Sequence, residues 1–187
     1  MPDTTSALPG FHYEGLVRVA EAGARGMITL RGDLAAPGLA QALRAHLGAP
    51  MPGQRRVTKG AGGEVAWMSP DELLILTGHA AVPTMIAALE GATADEFVTL
   101  ADVSDARAVF TIEGVQARDV LAKICPVDFA ALQPGQIRRT RAAQVAAALI
   151  CEDDDHFTLI CFRSVAHYMA DLLATVSAPG GAVGLYR

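Results

Sequence analysis

Asp102, Ser104, Asp105 and Arg107 are the best-placed polar constellation in this chain. Two carboxylates, a hydroxyl and a guanidinium so close together could line a cleft and hold a carboxylate or a pterin-like group, with the guanidinium supplying charge-assisted hydrogen bonds. A local role competes with that one. Asp102 and Ser104 can satisfy backbone donors at a strand corner while Arg107 pairs with a carboxylate, and short polar side chains at such corners commonly bind their own backbone. We therefore favour the local role, and keep Asp102, Ser104 and Arg107 as candidates for a cleft. No residue is assigned a catalytic role.

The remaining reactive side chains do not converge. His12, His46, His79, His156 and His167 are scattered, none paired with another His or with Cys at ligand spacing, so no metal site is assigned. His156 opens a strand beside an acidic turn, where a charge contact suffices to explain it. Cys125, Cys151 and Cys161 are an odd set without metal-like spacing. Cys151 and Cys161 lie in apolar strand patterns and read as buried thiols. Cys125, beside Pro126, lacks a His to deprotonate it. The run Glu152 to Asp155 misses the glycine-containing calcium-loop pattern and reads as a charged hairpin tip. No phosphate-binding glycine loop or Gly-x-Ser-x-Gly elbow occurs, and Gly60-Ala61-Gly62-Gly63 reads as a flexible loop.

The elements that must position these groups come as one unit written twice. Met27 to Leu30 reads as a strand, ended by Gly32-Asp33. A helix follows over 36–47 with Leu39, Leu43 and Leu47 on one stripe and Gly48 as its stop. Val65 to Met68 and Leu73 to Leu76 read as strands joined by Ser69-Pro70-Asp71-Glu72, followed by a helix over 82–89 with Met85, Ile86 and Leu89 inward. The second half repeats this order. It has a strand over 109–112 closed by Gly114, and a helix carrying Ala117, Val120, Leu121 and Ile124, with Asp119 and Lys123 spaced for an exposed pair. Strands over 145–151 and 157–162 flank the acidic turn, and a helix capped by Ser164 buries Val165, Tyr168, Met169, Leu172, Leu173 and Val176.

Gly32 to Asp71 and Gly114 to Asp155 have nearly equal spacing, which points to two β-α-β-β-α repeats despite little letter identity. The expected fold class is α+β, with the two repeats packed together. The expected organisation is an N-terminal arm over 1–25, halves over 26–97 and 98–177, and a flexible tail over 178–187, all one compact unit. Leu100 to Asp102 reads as an extra strand between the halves, and 49–63 as a long surface loop.

The chain as a whole narrows the function. Its 187 residues are 51% hydrophobic, enough for a sizeable core. A formal charge of −5, without large basic clusters, argues against nucleic acid as a partner. Met1 to Gly15 lacks the pattern of a secretory signal and the longest apolar run is too short to cross a bilayer, so the cytoplasm is expected and no membrane partner is.

With these residues in view, the chain resembles the gamma subunits of heterotetrameric sarcosine oxidases, themselves similar to the folate-binding domain of glycine-cleavage aminomethyltransferases. The residues that carry the resemblance are Leu30-Arg31-Gly32-Asp33, Trp67 with Ser69-Pro70-Asp71-Glu72, Asp102-Val103-Ser104 with Arg107, Ala117 to Leu121 with Cys125-Pro126-Val127-Asp128, and Arg163-Ser164 leading to Tyr168. The resemblance implies a non-catalytic structural subunit in the cytoplasm. Alpha, beta and delta partner subunits would hold FAD, FMN, NAD and tetrahydrofolate and oxidatively demethylate sarcosine to glycine, with no cofactor on this chain. The aminomethyltransferases carry an acidic residue after a glycine near the strand corresponding to Val145 to Cys151; this sequence has Ala146-Ala147-Ala148 there. Lys123-Ile124-Cys125 likewise does not reproduce the Lys-Gly-Cys of relatives acting in iron-sulfur maintenance. The alternatives are a stand-alone folate-binding or folate-dependent transferase and a homo-oligomeric ligand sensor.

Overall fold

A computed structural model describes residues 5–186. The chain divides into two compact units. One is Arg25–Ser104; the other joins the described residues up to Ala24 with those from Asp105 onward.

The Arg25–Ser104 unit contains β3 (Arg25–Gly32), α1 (Pro37–Leu47), β4 (Val57–Gly60), β5 (Gly63–Ser69), β6 (Glu72–Gly78), α2 (Val82–Ala92) and β7 (Val98–Asp102). Its sheet runs β4-β5-β6-β3-β7, with every neighbour antiparallel. Ile28, Leu30, Val65, Leu73 and Ile75 share a core with Leu39, Leu43 and Leu47 of α1 and with Val82 and Leu89 of α2. Along β6, Glu72 to Thr77 is buried throughout, which is why this strand reads as a continuous apolar run and not as an alternation.

The second unit contains β1 (His12–Glu14), β2 (Arg18–Glu21), β8 (Arg107–Glu113), α3 (Ala117–Ala122), β9 (Gln136–Ala142), β10 (Val145–Cys151), β11 (His156–Phe162) and α4 (Ala166–Val176). Its sheet runs β1-β2-β8-β11-β10-β9. Phe110, Ile112, Leu149, Phe157 and Leu159 meet Val120 and Leu121 of α3 and Met169 and Leu173 of α4 in its core.

Setting β3 against β8 aligns the two sheets strand for strand. The N–H of Gly32 donates to the Asp71 carbonyl (3.0 Å) and that of Gly114 to the Asp155 carbonyl (2.8 Å), so the two spacings legible in the sequence are two copies of one turn contact. The connections cross over. β2 leads into β3 in sequence yet pairs with β8, and β7 leads into β8 yet pairs with β3.

The two-repeat α+β class stands, with each repeat larger by one strand than expected. β4 lies in the segment read as loop, and β9 had no assignment. Gly60 and Gly63 close the β4–β5 hairpin and are required there by close approach. A Cβ on Gly60 would lie 2.2 Å from the Leu47 carbonyl oxygen, and Gly63 (φ 147) would place one 2.3 Å from that of Leu76. The boundary expected between 97 and 98 falls after Ser104, because β7 completes the first sheet. The arm over 1–25 is not a separate element: within its described residues it forms β1 and β2.

Three local expectations also change. Ser164 lies in a 3₁₀ turn (Arg163–Val165) and does not cap α4, which starts at Ala166 without a side-chain cap. Tyr168 is 46% exposed and not buried. The tail is tied down within its described residues, where Gly184, Leu185 and Tyr186 donate their N–H groups to Asp119. Among the described residues no helix is long and apolar enough to cross a membrane.

Candidate functional site

The Asp-x-Ser corner sits where β7 ends. Asp102 Oδ1 accepts the Ser104 N–H (2.9 Å) and the Ser104 hydroxyl (2.6 Å). The buried Ser104 Oγ in turn accepts the N–H of Met27 in β3 (2.9 Å). The Asp102 carboxylate thus orients a hydroxyl that satisfies a strand donor, and both side chains close the backbone corner. Beyond the corner, Val103 N–H donates to the Met27 carbonyl (2.8 Å) and extends the β7–β3 ladder by one bond.

The other repeat has the same corner in different letters. Glu21 ends β2 opposite Phe110, as Asp102 ends β7 opposite Ile28. Its Oε2 accepts the N–H of Gly23 (3.0 Å), two residues on, and Ala22 N–H donates to the Val109 carbonyl (2.9 Å). Glu21 also accepts the Ser6 hydroxyl and the Ala7 N–H, fixing the arm. Sequence reading missed Glu21. The available signal was an acid at the end of a short strand with a glycine two residues later.

Arg107 opens β8, directly across from Phe162 of β11, and its guanidinium lies over the Phe162 ring at 5.5 Å. This is a cross-strand cation–π pair. Asp102 and Ser104 are thus brought together, whereas Arg107 is engaged within the other unit; Asp105 is exposed.

The thiols are unsuited to nucleophilic chemistry at neutral pH. Burial pushes Cys125 up to about 12 and Cys161 up to about 11, and it also raises Cys151. All three are buried and free. In the acidic turn, Asp154 takes Arg118 (3.0 Å), Asp153 accepts the Asp155 N–H and Glu152 accepts the Thr158 hydroxyl, so its carboxylates serve the hairpin. His156 faces Glu113, its cross-strand partner, at 3.8 Å. Among the described residues no cluster of three or more His, Cys, Asp or Glu could hold a metal ion. On the other unit an open, mostly apolar hollow beside α1 is lined by Ala40, Gln41, Arg44, Pro50 and Met51.

The most highly organised buried charge is Asp119, read in sequence as half of an exposed pair with Lys123. It is 2% exposed, and its two oxygens accept the N–H groups of Gly184, Leu185 and Tyr186. Lys123 instead donates to the Val176 carbonyl (2.7 Å). Burial pushes the Asp119 carboxyl upward, but the three N–H groups and the nearby Lys123 charge outweigh it and hold the group below the ordinary carboxylate range. Tyr186 then stacks edge-on against Phe129, at 6.1 Å between centroids. A hint was present in the sequence: Asp119 stands beside core Val120, between core Ala117 and Leu121.

Two repeats of this type, with side chains spent on corners and latches, define a class of α+β protein whose fold is seen in glycine-cleavage aminomethyltransferase. The chain superposes on the glycine cleavage system aminomethyltransferase T of Bartonella henselae with a TM-score of 0.63 and 16% identity, covering 83% of this chain and 44% of that one. It superposes on a chain of the heterotetrameric sarcosine oxidase from Corynebacterium sp. U-96, in complex with pyrrole 2-carboxylate, with a TM-score of 0.79 and 24% identity over 89% of this chain and 87% of that one.

Residues 31–179 match the sarcosine oxidase, gamma subunit family. The sarcosine oxidase subunit gamma of Corynebacterium sp. (strain U-96) is 31% identical over 154 residues, covering 76% of this chain and 73% of that protein. The chain belongs to the sarcosine oxidase gamma subunit family.

Proposed function

We propose that this chain is a non-catalytic structural subunit of a cytoplasmic heterotetrameric sarcosine oxidase that oxidatively demethylates sarcosine to glycine. Alpha, beta and delta subunits are its partners, and they carry FAD, FMN, NAD and tetrahydrofolate. The observation that supports this reading most is where the polar side chains go. Asp102, Ser104, Glu21 and Asp119 bind backbone donors of their own chain, which leaves them poorly placed to act on a substrate. In β10, where a folate-binding acid would stand, Ala147 and Ala148 are buried methyl groups, and a methyl can neither exchange a proton nor hold an amine.

Expressing the larger subunits with and without this chain tests the reading. Loss of stability, flavin content and turnover in its absence is expected. Equal values in both preparations, or demethylation of an amine by the purified chain alone, would overturn it.

A further inference from the structure

The two sheets end differently at corresponding strands. β2 and β7 hold equivalent places beside β8 and β3, but β2 is covered on its outer side by β1, whereas β7 is the last strand of its sheet. The hydrogen-bond parity is fixed on both. Ala22 N–H points to β8 and Val103 N–H to β3, so Glu21 and Val19 on one strand, and Asp102 and Leu100 on the other, direct their backbone groups outward. On β2 these groups are used: Glu21 N–H donates to the Phe11 carbonyl (3.0 Å), and Val19 faces Tyr13 across the β1–β2 register. On β7, Leu100 and Asp102 have no strand beside them among the described residues.

The side chains match this reading. β1 and the residue before it bring Phe11 and Tyr13 against the core of their unit. On β7 itself, Val98 and Leu100 are only partly buried against the corresponding core, so a strand laid alongside could cover them in the same way. Phe97, one residue before the strand, is 97% exposed. An uncovered strand edge with a bare aromatic at its start is a liability in a chain that lives alone.

We propose that the outer edge of β7 accepts an extended segment of a partner subunit, which runs antiparallel to it as β1 runs on β2, with Phe97 seated in an apolar recess of that partner. Backbone hydrogen bonds at Leu100 and Asp102 supply the attachment, and large apolar residues at alternate positions of the segment cover Val98 and Leu100 as Phe11 and Tyr13 cover their own core. The inference rests on the assembly proposed above.

The test uses the full chain, free and co-expressed with the partner subunits, and two variants. Leu100→Pro removes an outward N–H while leaving the bonds to β3, a change that edge strands tolerate; Phe97→Asp alters a fully exposed side chain and leaves the fold intact. Hydrogen exchange at Leu100 and Asp102 should slow at least ~tenfold on assembly, while Thr99 and Ala101, which face β3, report that β7 is folded in both states. Each variant should weaken retention of the partners at least ~tenfold, the scale of losing an interface anchor. If the partners co-purify but both amides exchange as fast as in the free chain and Phe97→Asp assembles like the wild type, this inference is wrong and the assembly reading survives. If no partner co-purifies with the wild-type chain, the assembly reading fails and this inference falls with it. A homodimer that Leu100→Pro dissociates, with heteromeric assembly intact, would show that the occupant is a second copy and overturn the assignment to a partner.

Discussion

In the unit built around β8, chain from both termini is laid onto the sheet and its helices: β1 covers β2, Phe11 meets Phe110 edge-on at 6.1 Å, and Asp119 holds residues 184–186. In the unit built around β3 none of this happens among the described residues, and β7 stands at the rim of its sheet with Phe97 97% exposed. The strand order, the crossover connections and the acidic corners are otherwise shared. One repeat is finished by its own chain. The other ends, among the described residues, at a sheet of five strands with no further strand on the outer side of β7.

The sharpest way to break this comparison is to hollow the finished unit. Phe110 is fully buried and packs on both the sheet core and the arm. Phe110→Ala should cost about 3–5 kcal/mol, transfer and cavity together. Cys125, Cys151 and Cys161 all lie in this unit, so thiol labelling under native conditions isolates its opening from that of the other. Labelling should accelerate in step with the loss measured by denaturant. If stability falls while the thiols stay as protected as in the wild type, the two units are not separable in this way.

The latch comes next. Asp119→Ala leaves three N–H groups without their carboxylate and should cost about 1.5–3 kcal/mol, the range for hydrogen bonds to a charged group. Asp119→Asn, which keeps one carbonyl oxygen, should cost less. Its pH dependence has a definite sign. The folded-state pKa lies below the unfolded value, so the contribution is complete above about pH 4 and is lost as the pH falls through the folded pKa. Acid should therefore free the tail to proteolysis before global unfolding. A tail cleaved equally fast at neutral pH in wild type and Asp119→Ala would show that it is not latched.

What could be read from sequence divides along the same physical lines. Leu73 to Leu76 and the Ala147 to Cys151 part of the 145–151 run announced themselves because strands buried on both faces need no alternation. Gly32 with Asp71 and Gly114 with Asp155 gave away the repeat because a glycine turn tolerates few substitutes. β4 and β9 were hidden because they are rim strands, whose Thr58-Lys59 and Arg138-Arg139-Thr140-Arg141 carry polar and charged side chains where a core strand carries valine. Asp119 was misread because helical spacing reports neighbours on one helix and is silent about a tail 65 positions away. The Asp-x-Ser corner was legible as local backbone chemistry, since its bonds span two residues.

The two acidic corners offer a smaller and more discriminating contrast. Glu21 ties its own turn and two residues of the arm, whereas Asp102 ties Ser104 alone. Glu21→Ala should cost about 1.5–3 kcal/mol and Asp102→Ala about 0.5–1.5 kcal/mol. Thermal unfolding of the two variants side by side measures the difference. Equal losses would mean that the arm adds nothing to the Glu21 corner.

The smallest expected effect bears directly on what holds a covering strand in place. Arg18 of β2 pairs with Glu14 of β1 at 3.4 Å and with Glu113 of β8 at 3.7 Å, but its side chain is 57% exposed. Such pairs gain little in water and are weakened by salt, so Arg18→Ala should change stability by no more than about 0.5 kcal/mol. The arm should stay protected from proteolysis, because Phe11, Tyr13 and the backbone bonds to Val19 and Glu21 remain. A larger loss that disappears in high salt would assign β1 to charge, and the segment expected on β7 would then have to be chosen for its charges, not for apolar residues at alternate positions.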